Sequence, residues 1–357
     1  MKVYKSPPAK FSPMHYLFIL SMFLLMLNSC RKDKPEDGSE PLVSVGNSGG
    51  VYIANEGNYQ FGNAKVSYYS IADTTLIEDL YQPANGVSLG DVCQSMCFFN
   101  NKAYLVVNNS GKVVVVNPTT FITTVTITGF TSPRYFLPVS NSKAYVTDLY
   151  SNSISIVDLS NNTIIGNIAC PGWTEELVLA YGKAFVTNQL QNKIYVINTS
   201  TDILEDSIAV GYGSNSIIED KNGKLWVLCG GSQTNSTYAS LYRVNPITNS
   251  VEQSFQFSNL TETPFRLTIN STNDTLYFLN KGVFKMSIAA ASIPTTPFIS
   301  QGTRNFYGIG IEPNTNIVYV ADAIDYVQKG KIYRYQSDGT LINSFLAGII
   351  PGEFYFN

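Results

Sequence analysis

Histidine is almost missing from this chain. The only one of its 357 residues is His15, in the apolar leader. A mature chain without histidine excludes a Ser-His-Asp triad, a His-ligated zinc and a His-ligated haem. Charge is scarce as well. Asp, Glu, Lys and Arg together make 14% of the chain, net −3, against about a quarter in ordinary domains. Three of the lysines sit in the leader, so the mature part is more acidic still. Mild acidity with no basic stripe argues against nucleic acid as a partner. Cysteine occurs five times, never as CxxC. Cys93 and Cys97, four apart on one expected strand, should share a face about 13 Å apart at the strand rise, too far for a disulfide. Cys93, Cys97, Cys170 and Cys229 therefore read as small buried apolar residues. No sustained helical period occurs after the first thirty residues, and no EF-hand spacing surrounds Asp322 and Asp325. No catalytic constellation, metal site or cofactor is expected, which argues against an enzyme.

Aromatics, in contrast, are plentiful: 23 Tyr and 20 Phe, with Asn, Ser and Thr filling the polar positions. They fall into a repeat. Lys143-Ala-Tyr-Val-Thr-Asp148 reads as a strand, Ile154-Ser-Ile-Val157 as a half-buried strand of period two, Leu159 to Asn162 as a turn, and Thr163 starts a third strand. Copies begin at Lys102, Lys143, Lys183 and Lys224, 41, 40 and 41 residues apart, with further ones at Asp274 and Asn316. A strand-rich repeat of this length predicts a β-propeller with one four-stranded sheet per repeat. Calling the strands A to D, the B strands near Val51, Lys102, Lys143, Lys183, Lys224, Asp274 and Asn316 give seven blades over residues 50–357. Blade one has no strand A before Val51. The C-terminal Pro351 to Asn357 has the character of one, so it should close the ring. Blade five is stretched by the polar loop 230–239, and Ala289 to Pro297 in blade six is either a loop or a distorted strand D.

The first residues read as an address. Lys2, Lys5 and Lys10 precede an apolar run from Tyr16 to Leu27, too short to span a bilayer but right for a signal peptide. Residues 1–29 are read as that peptide. Leu27-Asn-Ser-Cys30 resembles the bacterial lipobox, which implies lipidation of Cys30; Asn28 departs from the commonest pattern. Residues 30–49, charged and without apolar content, read as a flexible tether. Acidic residues soon after the cysteine resemble the surface-export signal of Bacteroidota lipoproteins. The expected location is the outer membrane, lipid-anchored and surface-exposed.

In a propeller, the D–A and B–C loops emerge on one face. In this chain they are longer and richer than the opposite turns, mixing aromatics with amides and arginines as a binding face requires. The candidate ligand contacts are Asn58, Tyr59, Gln60, Arg134, Tyr150, Trp173, Asn188, Gln189, Tyr212, Arg266, Arg304, Tyr307 and Tyr326. Arg134 and Arg266 start matching A strands, where they can face the central funnel or pair with a neighbouring blade's carboxylate.

Tyr145-Val-Thr-Asp148 and Phe185-Val-Thr-Asn188, each followed by a Val/Ile-Asp/Asn segment, resemble the YVTN or YncE-like seven-bladed propellers over about residues 50 to 357. Ile317 to Tyr326, Gly330 to Tyr335 and Gly348 to Gly352 resemble the surface propeller lipoproteins of Bacteroidota, some of which capture cobalamin for a TonB-dependent outer-membrane transporter. That resemblance implies a corrinoid or similar small nutrient as ligand, a TonB-dependent transporter as partner and contact with the membrane only through the lipid. The alternative is a protein- or glycan-binding adhesion propeller without catalytic activity.

Overall fold

Strand B shows why the repeat folds as it does. In the computed structural model, which describes residues 49–357, Lys102–Val107, Lys143–Asp148 and Lys183–Asn188 each bury every residue after the lysine. Both faces of each sheet are therefore covered, and β-branched and aromatic residues fill both. The seven sheets each hold four antiparallel strands in spatial order A-B-C-D. Each lysine that opens a B strand stays half-buried at the rim; Lys143 Nζ donates to Asp202 Oδ1 at 2.6 Å in the next blade. Tight turns join A to B: Asn100-Asn101 and Tyr181-Gly182 both have positive φ at the two central positions, the hairpin geometry that matches strand twist.

Strand C corrects one expectation. Ser153–Asp158 is buried on both faces, Ser155 included, rather than half-buried. Its Ile/Ser alternation is one of large and small packing against two neighbouring blades. The in-and-out pattern belongs to strand D, as in Thr163–Ala169, at the outer rim.

The innermost strands are Pro351–Phe356, Cys93–Phe99, Pro133–Ser140, Thr174–Ala180, Ser214–Glu219, Phe265–Ile269 and Phe306–Ile311, for blades one to seven. The C-terminal strand pairs with Gly50–Asn55, so the ring closes as expected. Phe354 and Phe356 pack on Tyr319 of blade seven, with ring centroids 5.9 and 5.2 Å away. Gly308 lets these blades meet, since a Cβ there would lie 2.4 Å from the Gly352 carbonyl oxygen.

Every innermost strand also carries a bulge near its start, where it pairs with strand B. The bulge separates Cys93 from Cys97. The register slips between Cys93 and Ser95, and one residue of slip reverses the face. Cys93 packs with Met96 toward blade one, and Cys97 against Tyr104 and Val106 toward blade three. All four cysteines are free. In blade six, strand D is only Ile299–Ser300, and residues 289–297 form a loop. Blade one adds a five-residue helix, Tyr81–Asn85, after a three-residue strand D. Cys30, the leader and residues 30–48 lie outside the described residues.

Candidate functional site

In a regular strand, consecutive side chains point to opposite faces. A bulge relaxes that rule, and the bulges here bring consecutive residues to one space: Arg134 with Tyr135, and Glu175 with Glu176. The same position recurs around the ring, with Gln94, Arg134, Glu175, Asn215, Arg266 and Tyr307 from blades two to seven. Together they line an axial cavity of about 390 Å³. Blade one supplies Gly352 at this level. A Cβ there would lie 3.1 Å from Glu56 Oε1 and 3.2 Å from Arg266 Nη2, so the glycine leaves room for the arginine.

Two arginine-centred networks fill the walls. Arg134 holds Glu175 through two parallel bonds, Nε to Oε2 at 2.8 Å and Nη2 to Oε1 at 2.5 Å, the strong fork geometry for a carboxylate. Its Nη1 donates to Gln94 Oε1. Trp173 Nε1 donates to the same carboxylate, and the guanidinium carbon lies 5.4 Å from the indole centroid. Arg266 crosses the axis. Its Nη1 donates to Glu353 Oε1 at 2.8 Å and Tyr135 Oη at 2.9 Å, while Nη2 stands 3.6 Å from Glu56 Oε1. Tyr307 Oη donates to Glu56 Oε1 at 2.9 Å, and Tyr355 Oη to Glu353 Oε2 at 2.6 Å. Arg266 does this from a left-handed backbone, φ +57°, which costs an ordinary residue roughly 1 kcal/mol. Both roles foreseen for the arginines are thus realised at once: they line the funnel and pair with carboxylates of other blades.

Carboxylates outnumber guanidiniums in this space. Burial raises the pKa of Glu56, with Arg266 and Tyr307 opposing. Glu176 accepts one backbone bond, from Ile217 N at 3.1 Å, and its pKa is pushed up to about 8, first by burial and next by Glu353. Its folded-state pKa thus lies above the unfolded value of about 4.3. Between those values the native state holds the extra proton, so this group subtracts stability as pH rises from about 4.5 to 8. Glu176→Gln keeps an acceptor for Ile217 and removes the titration. The variant is expected to gain thermal stability over the wild type at pH 8.5 and much less at pH 5. An equal difference in melting temperature at both pH values would count against the assignment.

The other expected contacts divide by location. Tyr59, Tyr150 and Tyr326 stand exposed on the loop-rich face, at 63%, 70% and 42%. Asn58 Nδ2 reaches the Tyr326 carbonyl at 2.6 Å, and Gln60 is exposed beside them. Tyr326 meets Tyr307 edge-on, 5.7 Å between centroids, linking rim to cavity. Gln189 and Trp173 line the cavity. Asn188 is fully buried. Its Nδ2 donates to the Pro171 carbonyl and its Oδ1 accepts from Leu190 N, so its amide is a loop clamp and not a rim group. Asp148 does the same for Thr131 and Ser132, and Asp322 for Asn305 and Ile324; this is the structural work of the last motif residue. Arg304 is likewise occupied. It donates to the Ser300 and Gln301 carbonyls and to Tyr335 Oη, away from the axis. Tyr212 belongs to a separate recess between blades four and five.

Sequence reasoning missed Glu56, Glu175, Glu176, Glu353, Tyr135 and Tyr355. The available signal was positional: aligning the repeats on the start of strand A stacks Gln94, Arg134, Glu175, Asn215, Arg266 and Tyr307 in one column.

A family model described as a domain of unknown function, DUF5074, matches residues 49–355. No curated protein matches the chain. Among solved structures, a quinoprotein alcohol dehydrogenase-like protein of Bacteroides thetaiotaomicron is similar, with a TM-score of 0.67 and 14% identity, over 87% of this chain and 78% of that one. A protein described as a 6-phosphogluconolactonase, from Bacteroides uniformis, has a TM-score of 0.66 and 12% identity, over 87% and 100% of the two chains. The dihydro-heme d1 dehydrogenase NirN has a TM-score of 0.58 and 8% identity, over 90% and 77%. At such identities the likeness is one of fold alone.

Proposed function

The chain belongs to the DUF5074 family, and on that premise we propose a function read from the site: a surface lipoprotein that captures a corrinoid such as cobalamin on its loop-rich face. The carrying observation is the axial cavity, whose two guanidiniums are already neutralised, on a face that carries the exposed Tyr59, Tyr150 and Tyr326. An anion would have to displace Glu175 or Glu353 from its arginine. A broad, mostly uncharged macrocycle rimmed by amides has no such cost. It takes apolar support from Tyr59, Tyr150, Trp173 and Tyr326, and hydrogen bonds from Gln60 and Gln189. Arg134, Arg266 and Tyr307 form the polar ground beneath. The macrocycle seats across the mouth rather than inside the cavity, and a TonB-dependent transporter receives it.

Calorimetric titration of the full-length protein with cyanocobalamin tests this. Saturable binding weakened roughly tenfold by Trp173→Ala or Tyr326→Ala is expected. A silent titration, or one indifferent to both variants, would remove the corrinoid reading. The anchor is tested separately. Cys30→Ser is expected to move the protein from the membrane fraction to the soluble one, and retention in the membrane would sink the lipid assignment.

A further inference from the structure

The recess between blades four and five measures about 550 Å³ and shares no lining residue with the axial cavity. Strand register builds one wall. In blade five, strand C (Ser240–Asn245) pairs with strand D (Ser250–Gln256) so that Ser240 is opposite Gln256 and Tyr242 opposite Ser254. Residues two apart share a face, so these four side chains form one patch. The facing wall comes from two blade-four loops, at Gln191-Asn192 and Gly211-Tyr212. The polar loop 230–239, pinned by the Ser232–Thr237 bridge, brings Tyr238 to the edge, 42% exposed. Gly211 marks where the walls meet. A Cβ there would lie 2.2 Å from Ser240 Oγ, so only glycine allows this approach.

The chemistry of this recess differs from that of the axis. No charged side chain lines it. At the axis the arginines are tied to carboxylates. Here no hydrogen bond among the described residues ties the hydroxyls of Tyr212, Tyr238 and Tyr242 or the side-chain amides of Gln191, Asn192 and Gln256. An ion or a phosphorylated ligand would find nothing to neutralise it. A wholly apolar ligand would strip water from these amides without replacing its hydrogen bonds. A pyranose ring fits both conditions, with an apolar C–H face to lie on an aromatic ring and hydroxyls to meet uncharged donors and acceptors. The volume lies within the range of small-ligand sites.

We propose that this inter-blade recess binds a neutral oligosaccharide, at a site distinct from the axial mouth. The test is calorimetric titration of the full-length protein with maltohexaose, cellohexaose, laminarihexaose, xylohexaose and mannohexaose. Saturable binding of at least one is expected, weakened roughly tenfold by Tyr238→Ala and by Gln256→Ala and unchanged by Trp173→Ala. Both recess positions are exposed, so the variants should melt like the wild type. The proposal is overturned if none of the five binds, if binding survives both recess variants, or if Trp173→Ala abolishes it. Cobalamin reports on the axial mouth alone, so each reading can fail without the other.

Discussion

Deleting residues 351–357 is expected to lower the melting temperature by about 10 °C or more, or to abolish cooperative unfolding altogether. The segment is the innermost strand of blade one and pairs with Val51 to Asn55. Its loss bares the backbone edge of Gly50–Asn55 and unpacks half-buried Phe354, Tyr355 and Phe356. Full burial of a large apolar side chain is worth about 1.5–3 kcal/mol. Partial loss of three, with the ladder, amounts to roughly 4 kcal/mol against a total of about 5–15 kcal/mol. A shift of about 2–4 °C per kcal/mol then gives the expected figure. The deletion also removes Glu353, so Arg266 loses its nearest carboxylate. A truncated protein that melts with the wild type would show that the strand does not hold the ring.

Arg266→Ala is expected to be the most damaging single substitution in the axial layer. The side chains of Arg266, Glu353 and Glu56 are each only 11–13% exposed. Breaking such a pair from one side costs about 3–5 kcal/mol, because the partner is left buried and charged. By contrast Lys65→Ala, which breaks a pair exposed by a third or more, should cost under about 1 kcal/mol. The pH dependence separates charge from packing. Without Arg266, burial acts on Glu56 less opposed, and its folded-state pKa rises further above the unfolded value. That penalty is then complete well above the raised value and fades as pH falls through it toward the unfolded range. Melting curves should show a larger deficit at pH 8 than at pH 5, and Glu353→Gln in the same chain should recover part of it. A deficit independent of pH would assign the loss to packing.

The ring was legible because strand B is buried on both faces in every copy, so selection for Ala, aromatic and β-branched residues repeats at a near-constant interval. The closing strand was legible from three aromatics, Phe354 to Phe356, with no other place to go. The axial site was legible only in part. Arg134 and Arg266 stand out because arginine is rare in this chain, but their partners lie one bulge out of register. A period-two reading sends Glu176 to the opposite side from Glu175, and Cys97 to the same side as Cys93; the bulges reverse both. Asn188 misled for another reason. An amide at a loop start looks available, and nothing local shows that the Pro171 carbonyl is waiting for it.

The Arg266 span also stands across the axis of the ring. Arg266, Tyr135 and Glu176 line both the axial cavity and a second one of about 270 Å³ deeper along the axis, so they form a partition between the two. On the proposed capture reading, a macrocycle seated across the mouth is too broad to pass that span and leaves by the way it entered. On that same reading, a protein that takes over the cargo approaches the same face while the bound molecule still covers part of it. Transfer would then run as an exchange at a shared rim, with donor and acceptor holding opposite edges of the cargo, and no rearrangement of the blades would be required.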